Sequence, residues 1–345
     1  MKKLILVGSD SIHTSGFHQL VSGYFDQSLF LGSRPIWQHE KNSKVILFSA
    51  IQPFLFFKGI SEMKKFLRKE NPSIIHILQV NSYAYGVVRA ANSLKIPVVL
   101  TALGSDILLT PQRNFFWKKL IQYTLKHSNA LTADSTIVAE KMKSLCRGDS
   151  CEVLVANFGI STGLYSGEKE NIIYSNRLHR ALYRVNEIIG AFLEFISLPE
   201  YSNWKLVVAG EAEETPHLKE LAGGSLNIIF PGWADNTLNE SYYKRAKIFV
   251  SYPKSDATSI SLLEAMACGC IPVVSDLPAN REWIEDGLNG IITSKLTAKD
   301  FIRAVQLDRN KLVEQNHQLI QSHGTREINR RKFFSVYDKI LSQSK

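Results

Sequence analysis

Short apolar runs alternate along this chain with longer stretches whose apolar residues recur every three or four positions. The runs at 3–8, 45–49, 74–78, 97–101, 130–133 and 152–155 are predicted strands, separated by predicted helices near 15–25, 60–70, 83–94, 113–127 and 135–145. A second set follows, with strands near 171–175, 204–209, 227–230, 247–251, 271–275 and 290–292 and helices near 184–197, 215–222, 238–245, 259–268, 279–284 and 297–306. Strand followed by helix throughout predicts parallel sheets with helices on their faces, here two α/β halves in tandem. The polar stretch from Ser161 to Asn171 is the expected linker. In 325–345, Phe333, Phe334, Tyr337, Ile340 and Leu341 share one helical face, which predicts a closing helix packed on that side.

Size and charge sharpen this picture. A chain of 345 residues exceeds what one ordinary core holds. The 41 Lys and Arg against 32 Asp and Glu give a net charge of +9, unevenly placed. Residues 1–170 carry 20 basic and 12 acidic side chains, whereas 171–345 carry 21 and 20. A basic first half suits an anionic partner such as a membrane surface, a phosphate-linked acceptor or nucleic acid, or is a solvated surface that aids solubility. No recognisable nucleic-acid-binding module accompanies the charge, so no nucleic-acid partner is expected. The four cysteines, at 146, 151, 268 and 270, lack the spacing of a zinc site or redox pair and are expected to remain reduced thiols. No apolar stretch is long enough to span a membrane, and the start at Met1 reads as a first strand; a cytoplasmic protein, peripheral on the inner membrane face, is the expectation.

The densest chemistry lies between Ser255 and Val274. Thr258 and Ser259 are good N-cap residues, Leu262 to Ala267 favour helix, Gly269 stops it, and Pro272-Val273-Val274 opens a buried strand. Helix N–H groups then open beside Asp256, where a diphosphate is attracted, and the small side chains of Ala257, Thr258 and Ser259, ahead of Ile260, let a ligand approach the backbone. Glu264 is placed to accept hydrogen bonds from ribose hydroxyls. A capping Asp256 and a solvated Glu264 would be the plainer reading.

Asp256, Glu264 eight positions later, Leu263-Glu264-Ala265-Met266-Ala267-Cys268-Gly269 and Pro272-Val273-Val274 resemble the signature of the retaining family 4 glycosyltransferases, with aspartate at the first acid position. The resemblance is sharp over about 171–290. It implies a GT-B fold, two Rossmann-like domains facing each other across a cleft: an acceptor-binding domain at 1–163, a nucleotide-sugar-binding domain at 164–325, and a helix at 326–345 packing back on the first. It also implies a retaining, metal-independent transfer from a nucleotide-sugar, UDP-sugar favoured, to a hydroxyl of a glycan or lipid-linked glycan acceptor in cell-surface polysaccharide synthesis. Asp256 would lie near the reacting sugar, Glu264 on the ribose and Arg177 on the diphosphate. The family's lysine a few residues after that arginine is missing; Tyr183 and Arg184 occupy the neighbourhood, and Arg184 restores the charge.

Other segments carry the resemblance less sharply. Gly104-Ser105-Asp106 is similar to the family's turn facing the donor sugar, with Leu103 where many relatives have histidine; Asp106 is a sugar contact or an N-cap. His13 lies in the loop after the first strand, where the family places acceptor- and phosphate-facing groups, and is a catalytic or a structural residue. Gly232, in Phe230-Pro231-Gly232-Trp233, would border the nucleobase through its backbone, with Trp233 covering core. Arg113, Phe115, Phe116, Trp117, Lys118 and Lys119 suit either a lipid interface or a helix with lysines in water. The rival function is a catalytically weak or inactive nucleotide-sugar-binding subunit supporting a partner enzyme, in keeping with Leu103 and the missing lysine. A dinucleotide oxidoreductase is disfavoured, because no Gly-x-Gly-x-x-Gly follows the first strand.

Overall fold

The computed structural model describes all residues except 35–40, 147–150 and 344–345, and the side chain of Ile12. The chain divides into two compact units, Met1–Phe158 with Arg326–Lys345, and Gly159–Thr325. In the first, β1 (Lys3–Val7), α1 (Ile12–Val21), β2 (Gln27–Gly32), β3 (Ser43–Val45), α2 (Pro53–Glu70), β4 (Ile74–Leu78), α3 (Ser82–Asn92), β5 (Val98–Ala102), α4 (Ser105–Leu108), α5 (Phe115–Lys126), β6 (Ala130–Ala133), α6 (Thr136–Cys146) and β7 (Val153–Val155) form a parallel sheet ordered β3-β2-β1-β4-β5-β6-β7. Every residue of β4 and β5 is buried, as strands covered on both faces must be.

Two features of this unit depart from the sequence pattern. Strand β2 was not expected: its apolar core is only Leu29-Phe30-Leu31 behind polar residues, and its parallel pairing with β1 fixes it. Helix α2 begins seven residues before its expected start, with Pro53 in its first turn, because Phe54 to Phe57 is an unbroken apolar run without helical period. The thiols correct a third expectation. Cys146 and Cys151 form a disulfide across a five-residue separation, while Cys268 and Cys270 are free and buried. Cysteine count and spacing said nothing of how a helix end and a following strand bring two side chains together.

The second unit contains β8 (Glu170–Ser175), α7 (Val185–Ile196), β9 (Lys205–Val208), α8 (Thr215–Leu221), β10 (Ile228–Ile229), α9 (Asn236–Arg245), β11 (Ala246–Ser251), α10 (Ile260–Ala267), β12 (Ile271–Ser275), α11 (Pro278–Arg281), β13 (Ile291–Thr293), α12 (Ala298–Gln306) and α13 (Arg309–Leu319), with sheet order β10-β9-β8-β11-β12-β13. Helix α13 escaped the pattern because its face is narrow, Leu312, Val313 and Asn316; Asp308 starts it by accepting from the N–H groups of Asn310 and Lys311. The closing helix α14 (Arg326–Gln343) buries Phe333, Tyr337 and Ile340 in the core of the first unit. Phe333 stands edge-on to Phe17 at 4.9 Å, and the Tyr337 hydroxyl lies 2.7 Å from Nδ1 of the wholly buried His76. Nε2 of His76 meets Thr101 at 2.7 Å, so the ring is satisfied on both sides, and burial pushes its pKa down to about 3.

Candidate active site

The chemistry of the second unit gathers at the carboxyl ends of its strands. Beyond β8 the chain runs Asn176-Arg177, and the Arg177 side chain is nearly buried. Its Nε donates to Ser251 Oγ at 2.8 Å, at the end of β11, and its Nη2 pairs with the Asp256 carboxylate. The ring of Tyr183, which stands where the family's lysine is missing, lies 5.0 Å from this guanidinium. Burial lowers the Arg177 pKa from its ordinary value. A partly desolvated cation held by a hydroxyl, a carboxylate and an aromatic face is oriented before any ligand arrives, which is what stabilising a departing anion requires.

Asp256 is fixed at the mouth of α10: its second oxygen accepts from the Ala257 N–H at 3.0 Å. Ser259 is the N-cap, its hydroxyl accepting from the Leu262 N–H at 3.3 Å, and Ile260 is the first helical residue. Gly269 ends the segment at φ +70°, where an added Cβ would lie 2.7 Å from the Tyr165 carbonyl. Thus 256–260 puts a carboxylate and a helix N-terminus beside Arg177. Glu264, farther along α10, is half-buried; burial and the neighbouring Glu240 raise its pKa to about 7 against the opposing hydrogen bond from Tyr243. Tyr243 in turn accepts from Asn176 Nδ2 at 2.7 Å, so Glu264 and the residue before Arg177 share one polar chain.

Two glycines close the neighbouring loops. Gly210, at φ +115°, leaves no room for a side chain, since a Cβ would stand 2.8 Å from the Arg177 carbonyl. Its N–H donates to the carbonyl of Gly232, itself at φ +80°, at 2.8 Å. Glu211, which carries no local sequence signal, lines the same loop; its carboxylate would sit 3.2 Å from a Cβ at Gly232.

Other candidate residues have different surroundings. Arg184, expected to restore charge to the donor, starts α7 and spends Nε and Nη2 on the carbonyls of Tyr252 and Pro253 at 2.9 and 3.1 Å. Its guanidinium also lies 3.7 Å over the Tyr252 ring, so it braces the loop carrying Asp256. Trp233 is 61% exposed and covers no core, a correction that follows from its place in a turn beyond the sheet. His13, Ser105 and Asp106 belong to the first unit. His13 is exposed in the first turn of α1, edge-on to Phe158 at 6.2 Å, and Ser105 is exposed at the start of α4. Asp106 is neither the N-cap, which is Gly104, nor turned outward: it is buried, accepting from the N–H of Val80 at 2.7 Å and of Leu103 at 3.2 Å. Burial outweighs these bonds and raises its pKa to about 6. Among the described residues no group of three or more His, Cys, Asp or Glu is placed to hold a metal ion.

Two parallel-sheet units, the second with a nearly buried guanidinium and a helix N-terminus at its strand ends, have the GT-B fold. Residues 163–321 match the family described as glycosyl transferases group 1, and residues 3–135 match the glycosyl transferase 4-like family; the chain belongs to these glycosyltransferases. An uncharacterized glycosyltransferase of Methanocaldococcus jannaschii is 32% identical over 141 residues, 39% of this chain and 35% of the relative. The lipopolysaccharide core biosynthesis glycosyltransferase LpsE of Rhizobium meliloti is 30% identical over 140 residues, 38% of this chain and 39% of the relative. The matched stretch therefore spans little more than a third of these relatives' length. Among solved structures, Anabaena HepE in complex with UDP superposes with a TM-score of 0.79 at 13% identity, covering 98% of this chain and 100% of that one. Sucrose-phosphate synthase of Thermosynechococcus elongatus gives 0.76 at 13% identity over 99% and 100%.

Proposed function

We propose that the chain is a retaining, metal-independent glycosyltransferase that moves a sugar from a nucleotide-sugar, UDP-sugar favoured, to a hydroxyl of a glycan or lipid-linked glycan. The observation that carries this reading is the nearly buried Arg177 guanidinium set beside Asp256 and the N-terminus of α10. As the bond from sugar to phosphate breaks, the electron pair leaves with the diphosphate, and Arg177 with the helix dipole stabilises the charge. To take the diphosphate, Arg177 exchanges its pairing with Asp256, freeing that carboxylate for the sugar. Glu264 accepts from the ribose hydroxyls, and Gly210 and Gly232 let the base approach backbone. Residues 164–325 serve the donor, and 1–163 with the helix at 326–345 serve the acceptor, with His13 and Ser105 on the acceptor side. A UDP donor is in keeping with HepE, solved with UDP and UDP-glucose, and surface polysaccharide synthesis with LpsE, a lipopolysaccharide core biosynthesis glycosyltransferase. No described helix is long and apolar enough to cross a membrane, so contact with the inner face is taken as peripheral.

A thermal-shift series of UDP-, GDP-, dTDP- and ADP-sugars tests the reading, because a bound donor stabilises the fold with occupancy. One nucleotide series should raise Tm and, with membrane extract, release nucleoside diphosphate; no shift with any donor would refute it. Leu103, apolar and partly exposed beside the Ser105 turn, favours a second reading, a donor-binding subunit without turnover. That protein would show the shift and release nothing.

A further inference from the structure

Helix α2 has two outer surfaces of different chemistry. Its inner stripe, Gly59, Met63 and Leu67, is buried. Phe56 lies 6.3 Å from Tyr85 of α3, which meets Tyr123 of α5 at 5.0 Å, and the Arg89 guanidinium lies within 6 Å of all three rings. This aromatic seam holds the helix firmly. Its first turns and the segment leading into them nevertheless show water Leu47 (62% exposed), Ile51 (73%), Phe54 (73%) and Phe57 (72%). Single exposed apolar residues are ordinary; four large ones within eleven positions mark a contact surface. Farther along, the outward positions are Lys58, Ser61, Lys65, Arg68 and Lys69, and the whole helix carries five cations against Glu62 and Glu70.

The neighbouring helix repeats this chemistry. Phe115 is 73% exposed at the start of α5, followed by exposed Phe116, Lys118 and Lys119. Since α2, α3 and α5 each follow a strand of one parallel sheet and pack side by side, their N-termini share the end of the unit at which the strands finish. Gly104 and Ser105 lie at that same end, directly after β5.

We propose that this end of the first unit rests on an anionic lipid bilayer, with Ile51, Phe54 and Phe57 entering the interface and Lys58, Lys118 and Lys119 meeting the headgroups. Aromatic and aliphatic groups beside cations are the pairing an interfacial helix needs: apolar burial supplies residence, and positive charge selects acidic lipid. The proposal names the membrane surface left unassigned above and uses no residue of the donor site, so it can fail while the transfer reading stands.

The test is flotation of the full chain with vesicles of phosphatidylcholine alone and with about a third phosphatidylglycerol. Binding should favour the anionic vesicles and weaken in high salt. The variant Phe54→Ser with Phe57→Ser should lose at least about tenfold in vesicle affinity, from the apolar area withdrawn. Lys58→Glu with Lys118→Glu and Lys119→Glu should abolish the preference for acidic lipid. Both keep the Tm, because the altered side chains are exposed. Wild-type protein that stays unbound on anionic vesicles, or a Phe54→Ser, Phe57→Ser variant that floats like wild type, overturns the proposal. So does a wild-type dimer that ignores vesicles and is split by the same variant, which would assign the surface to a second copy.

Discussion

The two units use one architectural plan and finish their strands differently. In the second, the loops after β8, β9 and β11 hold polar groups in mutual restraint: Arg177 by Ser251 and Asp256, Asn176 by Tyr243, Gly210 by Gly232. In the first, the one carboxylate among the candidates is turned inward, and the outward residues are His13, Ser105 and the aromatics of α2 and α5. One sheet end is preorganised for a compact, highly charged ligand. The other offers separate polar points and apolar surface, which suits a larger and more varied one.

The hardest blow to this contrast is Arg177→Ala. It should lower turnover by about a hundredfold or more, with a smaller effect on donor affinity, because the guanidinium acts most on charge that develops in the transition state. Steady-state kinetics with the identified donor measure it. Next comes Phe333→Ala, which opens a cavity beneath α14 and should cost the first unit about 3–5 kcal/mol without altering the donor site. Denaturant unfolding with and without nucleotide separates the two effects. Glu264 gives a pH test: with a pKa near 7, its carboxylate form grows as pH rises from 6 to 8, so donor affinity should rise over that window. Glu264→Gln should flatten the rise, visible as a pH-independent Kd. A smaller effect separates the units by pH. His76, depressed to about 3 in the fold, stays neutral while the unfolded chain takes up a proton below about 6.5; its contribution is complete above that value and declines as pH falls toward 3. Replacing His76 with Gln should reduce the acid sensitivity of the first unit, measured by melting between pH 4 and 7.

Strands buried on both faces were legible because apolar residues dominate them, as in β4, β5 and β12, where buried polar members such as His76 and Thr101 bond to each other. Both ends of α10 were legible too, since Ser259 and Gly269 are local signals, one for a cap and one for a left-handed turn. Partnerships were not. That Arg177 reaches Asp256, 79 positions away, or that Arg184 turns to the carbonyls of Tyr252 and Pro253, depends on which strand ends the sheet order brings side by side. Asp106 misled for the same reason: its partner Val80 follows a different strand. Glu211 carried no local signal beyond its position after β9.

The most direct measurement is calorimetric titration of the matching nucleoside, monophosphate and diphosphate into wild-type protein and Arg177→Ala. The diphosphate should bind wild type far more tightly than the monophosphate, and that gap should nearly vanish in the variant while nucleoside affinity holds. A gap of equal size in both proteins would contradict a diphosphate seat at Arg177 and α10.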